Sequence, residues 1–277
     1  MEIFLAVSRA VCTKGTFAEE IIKNQSMKIL VTNDDGVRAP GIAALADALD
    51  RLGEVEVVGP SEGQSGAGHG ITFLEPLTAE RVSIGASRQA WSVAGTPADC
   101  VKLGINELLP SAPDLVVSGI NAGANRGVDV LYSGTVAAAA EAALMGIPSV
   151  AVSLEAADTF DFKGAGAWAL RVVAPVLPLG MPKGTMLNIN VPAASRVEAR
   201  GIRLVPQSLL AWEDSYQRRQ DPRGRDYYWL SGAVPAPDTG NLTDLRALEE
   251  GWVTVTPLQF DLTDHARMNV WRDLWTI

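Results

Sequence analysis

The chain has 277 residues, 47% hydrophobic and 20% charged, with a net charge of −9; that is length enough for one large core or a core with a lobe, and an acidic surface argues against nucleic-acid binding. A small phosphorylated ligand remains open, because a bound cation inverts the local sign of charge. Two cysteines, Cys12 and Cys100, make no disulfide framework and point to the cytoplasm, and no apolar run reaches the ~20 residues of a membrane helix.

Residues 1–26 lack a positive leader region and a small-residue cleavage site, so they read poorly as a secretory signal. Met27 then opens a strong strand, and the expectation is that Met27 is the true start and 1–26 a mis-assigned extension. An intact mass that includes residue 1 would contradict this. From Met27 the pattern alternates strand with helix. Lys28–Val31 is a short apolar run of the kind buried on both faces. Pro40 and Gly41 open a helix over Ile42–Leu52, and Val55–Val58 is the next strand, which together make a right-handed βαβ unit. A Gly/Ser-rich loop over 61–70 leads to an extended stretch, Ile71–Leu77, and a hairpin over 79–94. Thr96-Pro97-Ala98-Asp99 starts a helix running to about Leu108. Asp114–Ser118 is a strand, Val136–Met145 an Ala-rich helix stopped by Gly146 and Pro148, Ser149–Ser153 a strand, 164–178 a helix and Leu187–Val191 a strand. Beyond about residue 200 come shorter strand-like pieces with many charges, Trp and Tyr. The expected architecture is a doubly wound, three-layer α/β core over 27–200, with a mostly β lobe or protruding hairpin over 201–277.

Four segments carry candidate chemistry. Asn33-Asp34-Asp35-Gly36 directly follows the first strand, where ligands bind in open α/β sheets. Two adjacent carboxylates repel phosphate unless a hard cation such as Mg²⁺, Mn²⁺ or Ca²⁺ lies between; the same residues also make an ordinary polar turn. The loop Gly63–Gly70 offers Ser65 as a neutral oxygen ligand and His69 as a substrate-orienting group, or is a flexible connector. Ser118–Gly127 offers the amide oxygen of Asn121, with Asn125 beside it. Tyr132-Ser133-Gly134-Thr135 enters the Ala-rich helix, whose N-terminus is either a phosphate site or a plain cap. The aromatic stretch 212–229, with Trp212, Tyr216, Tyr227, Tyr228 and Trp229, reads equally as subunit interface and as the core of a small lobe.

From Met27 to about residue 262 the chain resembles the SurE family. The likeness is carried by Ile29–Gly36, by Gly95-Thr96-Pro97-Ala98-Asp99-Cys100, and by Val117–Asn121 running on to Tyr132–Val136, in that order and spacing. It implies a Rossmann-like core, one divalent cation (Mg²⁺ or Mn²⁺), and hydrolysis of nucleoside 5′- or 3′-monophosphates, sometimes also of short polyphosphate. It also implies a cytoplasmic homodimer or homotetramer with an exchanged C-terminal hairpin. Carried over by position, the metal ligands fall on Asp34, Asp35, Ser65 and Asn121, with both aspartates catalytic. Asn33, Asn125, Ser133, Gly134 and Thr135 fall at substrate- and phosphate-contacting positions. Residues 1–26 have no counterpart in the family, and the loop around Ser65 and His69 is one in which members vary. A nucleotide-using transferase and a non-catalytic metal or nucleotide sensor are the competing readings, since fold alone excludes neither.

Overall fold

A computed structural model describes residues 27–195, 197–210, 213–233 and 242–274. The expected N-terminal extension and Trp212 lie outside them. The first strand, β1 (Met27–Thr32), is buried over its last four residues. It is flanked by β2 (Gly53–Pro60) on one side and β5 (Leu115–Ala122) on the other, both parallel to it. The full sheet runs β3-β4-β2-β1-β5-β6-β7-β11-β8, where β3 is Ala79–Ile84, β4 Arg88–Val93, β6 Ser149–Leu154, β7 Thr185–Val191, β8 Ile202–Leu204 and β11 Val253–Gln259. Two of its pairings are antiparallel, β3 with β4 and β11 with β7, and the others are parallel. The chain moves outward from β1 to β2, then returns to the other side of β1 as β5. The β1/β5 boundary is therefore a topological switch point, where a crevice opens at the carboxyl ends.

Alternation along β1 sorts the layers. Ile29 and Val31 pack with Ile42, Leu45 and Leu49 of α1 (Pro40–Leu49) and with Ala165, Ala169 and Val173 of α4 (Phe162–Val176). Leu30 points the other way, to Cys100 and Val101 of α2 (Pro97–Leu103) and to Ala138 and Ala142 of α3 (Gly134–Leu144). Each fully buried leucine or isoleucine contributes about 1.5–3 kcal/mol relative to exposure. Alanines let α3 seat deeply, so every residue from Gly134 to Ala143 is buried. On the opposite layer α1 comes close enough that a Cβ on Gly41 would lie 2.1 Å from the Ile120 carbonyl oxygen.

Several boundaries differ from the sequence expectation. Helix α1 begins at Pro40 and ends at Leu49, because the following turn closes on Leu49 (Leu52 N–H to its carbonyl, 2.8 Å) and β2 starts at Gly53. Helix α2 stops at Leu103, and the backbone widens into a π turn over Gly104–Leu108. The stretch Ile71–Leu77 forms no strand. Thr72 is tied instead to the Asp99 carboxylate, which accepts both its N–H and its hydroxyl, leaving no strand partner for the segment. The hairpin over 79–94 is present as β3–β4. Of the C-terminal part, β8 and β11 complete the main sheet, so the core draws on both sides of residue 200. A separate two-stranded hairpin, β9 (Glu213–Gln220) and β10 (Asp226–Ala233), stands apart with Tyr216, Tyr228 and Trp229 exposed. Short helices α5 (Asp244–Glu249) and α6 (His265–Trp271) complete the fold. Among the described residues no helix is long and apolar enough to cross a membrane.

Candidate active site

Parallel pairing sets Thr32 of β1 opposite Ser118 of β5, so Asp34 and Asp35 leave β1 beside the end of β5. Asp35 is fixed there by the Ala122 N–H, which donates to its Oδ2 at 3.1 Å. Asp34 is only 5% exposed. Its Oδ1 accepts from the Thr135 hydroxyl at 2.5 Å. Its other face packs on Gly134, where a Cβ would stand 2.8 Å from the Asp34 Cβ and 3.1 Å from Oδ2. Burial pushes the Asp34 carboxyl above its usual range; the Thr135 hydrogen bond pulls against this, and the Asp35 charge adds to it. Among the described residues no Lys or Arg forms an ion pair with either carboxylate.

The Gly-rich loop is drawn to this point by its backbone. The Gln64 N–H donates to the Asp34 carbonyl at 2.7 Å, which sets Ser65 next to the acidic pair. On the other side, the Asn121 side-chain amide N–H donates to the Gly123 carbonyl at 2.7 Å, which commits its nitrogen and leaves its oxygen for a ligand. Helix α3 begins at the site: Ser133 caps it by accepting from the Val136 N–H at 3.1 Å, and Gly134 and Thr135 form its first turn against Asp34. The Thr135 N–H also supports the Asp34 carboxylate, and the positive end of the helix favours an anion.

Two of the sequence candidates are engaged in hydrogen bonds within the protein. Asn33 turns inward: its amide N–H donates to the Gly36 carbonyl at 2.8 Å, closing the turn that carries the aspartates. Asn125 is 7% exposed and locked into the ends of β6 and β7. Its backbone N–H donates to Asn190 Oδ1 (2.8 Å), its amide to the Ser153 hydroxyl (2.8 Å), and its carbonyl accepts from Asn188 and Asn190. Because Asn121 is in register with Ser153, this network braces the loop just beyond Asn121. Ser153, Asn188 and Asn190 were not picked out from sequence; the available signal was polar side chains inside otherwise apolar, fully buried strands. His69 bonds to Glu141 of α3 at 3.0 Å, a partner likewise missed.

The donors are two carboxylates, a hydroxyl and an amide oxygen, all hard oxygens suited to Mg²⁺ or Mn²⁺. The buried Asp34 carboxylate without a basic partner is the observation that fits a cation, since a buried charge otherwise demands compensation. Groups of three or more His, Cys, Asp or Glu, the marks of an all-charged metal cage, do not occur among the described residues. The fit therefore rests on a mixed charged and neutral set.

The molecule is thus a doubly wound α/β protein with an acidic, hard-oxygen site at its topological switch point and a helix N-terminus beside it. The chain belongs to the SurE family: the family model described as survival protein SurE matches residues 29–214. A protein of Rhodopirellula baltica named 5′-nucleotidase SurE is 48% identical over 252 residues, 91% of this chain and 99% of that relative. One of Syntrophotalea carbinolica with the same name is 51% identical over 241 residues, 86% of this chain and 93% of that relative. The crystal structure of the SurE protein from Aquifex aeolicus superposes with a TM-score of 0.76 at 39% identity, covering 89% of this chain and 99% of that one.

Proposed function

We propose that this chain is a metal-dependent 5′-nucleotidase that hydrolyses nucleoside 5′-monophosphates, and also 3′-monophosphates, to nucleoside and inorganic phosphate. The single observation that carries the reading is the Asp34–Asp35 pair at the β1/β5 boundary, with Asp34 buried against the first turn of α3. The close relatives named as 5′-nucleotidases support the substrate class. Asp34, Asp35, Ser65 and Asn121 would hold one Mg²⁺ or Mn²⁺. When bound, such a cation neutralises phosphate charge and acidifies a water. Thr135 and the cap around Gly134 keep the Asp34 carboxylate in place. The N–H groups of Ser133 and Gly134 would donate to the phosphoryl oxygens and stabilise charge developing on them, while the Thr135 N–H supports the Asp34 carboxylate. In the overall reaction a water oxygen forms a bond to phosphorus, the phosphorus–ester oxygen bond breaks, and one proton of that water ends on the leaving alkoxide.

The protein works in the cytoplasm as a homodimer or homotetramer, with the exposed aromatic hairpin β9–β10 supplying contacts between subunits. Phosphate release from a panel of 5′- and 3′-nucleoside monophosphates, with Mg²⁺, Mn²⁺ or EDTA, tests the proposal. Metal-dependent release that is fastest on 5′-nucleotides is expected. Binding of nucleotide without release would instead favour a sensor, and release only in the presence of an acceptor alcohol would favour a transferase.

A further inference from the structure

Helix α3 contains one charged side chain, Glu141, in a run of alanines. It is 8% exposed, and both of its oxygens are taken. Oε1 accepts from Lys102 Nζ of α2 at 3.0 Å and Oε2 is 3.0 Å from His69 Nε2. The His69 ring also meets Phe260, just after β11, edge to face at a centroid distance of 6.4 Å. His69 thus joins the Gly-rich loop to two elements of the rigid core at once. The loop needs such a tie. Gly66 and Gly68 take positive φ, and a Cβ on Gly66 would meet nothing within 4 Å. Between Ser65 and Gly70 the loop is also hydrogen-bonded to its surroundings by the Gly68 N–H to the Tyr132 carbonyl (3.1 Å) and the Thr96 hydroxyl to the Gly70 carbonyl (2.8 Å).

We infer that Glu141 and His69 are positioning residues: a clamp that holds the Gly-rich loop so that Ser65 is presented to the acidic pair. The inference rests on the site reading above for its consequence in activity, but the clamp itself is testable without it. Glu141 lies about two turns beyond Gly134, ~10 Å along the helix, so it acts on the site only through the loop. The pairing also explains why a carboxylate is retained on a helix face otherwise reduced to alanine: the hydrogen bond from His69 and then the Lys102 ammonium lower its carboxyl below the usual range against its burial.

The test uses Glu141→Ala, His69→Ala and the double variant, with Glu141→Gln as the conservative control. Alanine suits this helix, and Lys102 and His69 are partly exposed, so loss of Glu141 strands no buried charge. The first readout is hydrogen–deuterium exchange of peptides covering 63–70 in metal-free protein. Both single variants are expected to raise exchange there and not in β1 or β5. The second is the Mn²⁺ concentration for half-maximal phosphate release, expected to rise roughly ten-fold, the lower end of what loss of a group behind a metal ligand costs. The double variant is expected to be no worse than either single one, because both remove the same tie. Glu141→Gln, which still hydrogen-bonds His69, is expected to recover most of the effect. Unchanged exchange at 63–70 in Glu141→Ala, or fully additive losses, would overturn the clamp. Loss of nucleotidase activity in every variant and in the parent would instead overturn the functional reading and leave the exchange result standing.

Discussion

Gly134→Ala probes the site through a single methyl group. Gly134 is the first residue of α3 and its φ is negative, so alanine brings no backbone strain. Space decides the outcome. The added carbon would stand 2.8 Å from the Asp34 Cβ, 3.0 Å from Pro97 Cγ and 3.1 Å from Asp34 Oδ2. Two of these neighbours belong to the side chain of the same aspartate, so the cheapest relief is for Asp34 to withdraw by several tenths of an ångström. Withdrawal stretches the 2.5 Å hydrogen bond from Thr135 and spoils the geometry of the acidic pair. Overpacking of this kind costs about 1–3 kcal/mol, which for a domain of this size lowers Tm by roughly 2–12 °C. The functional loss should be larger, because a displacement approaching 1 Å in a reacting constellation costs up to about 100-fold. Thermal unfolding and Mn²⁺-dependent phosphate release, measured on the same preparation, separate the two effects. A folded variant at least ten-fold slower is expected. Wild-type turnover from Gly134→Ala would show that the contact between α3 and Asp34 does not set the site.

Gly41→Ala should damage the fold, since its Cβ would fall 2.1 Å from the Ile120 carbonyl oxygen, a rigid backbone atom. Overpacking costs about 1–3 kcal/mol, occasionally more, visible as a drop in Tm; because Ile120 leads directly into Asn121, activity per folded molecule is expected to fall as well. Asp244 accepts the Gly127 and Ser208 N–H groups, each at 2.8 Å, from full burial. Asp244→Asn turns one acceptor into a donor facing an N–H, so a destabilisation of about 1–3 kcal/mol is expected in denaturant unfolding. Asp261 is held at about 2 by the Thr263 hydroxyl first, then by His265 and the Thr263 N–H. A carboxyl depressed in the folded state stabilises above its unfolded value and loses that contribution as pH falls towards about 2. Carboxyl NMR titration should therefore place Asp261 at the low end of the protein's aspartates, with His265→Ala moving it upward.

The acidic pair was legible because it breaks a pattern: an apolar parallel strand ends in two carboxylates where a nucleotide fold would have glycines. The helices were legible from their caps, as with Thr96 and Asp99, whose reciprocal hydrogen bonds form a capping box. Non-local facts were not. The local sequence of β11 says nothing of its antiparallel insertion between β7 and β8. Asn188 and Asn190 alternate with Leu187, Ile189 and Val191, so their strand reads as ordinary until the loop carrying Asn125 is laid across it. The extended stretch Ile71–Leu77 joins no sheet, because one carboxylate, Asp99, takes both donors of Thr72. Glu141 escaped notice for the same reason: a lone charge on a helix has no visible partner until the loop with His69 folds onto it.

The most direct test of the account compares phosphate release from AMP by the wild type and Asp34→Asn, both stripped with EDTA and then titrated with Mn²⁺. The account predicts a silent apo protein, recovery of turnover on metal addition for the wild type, and none for the folded variant. Turnover by Asp34→Asn at the wild-type rate and metal dependence would contradict the claim that this carboxylate holds the cation.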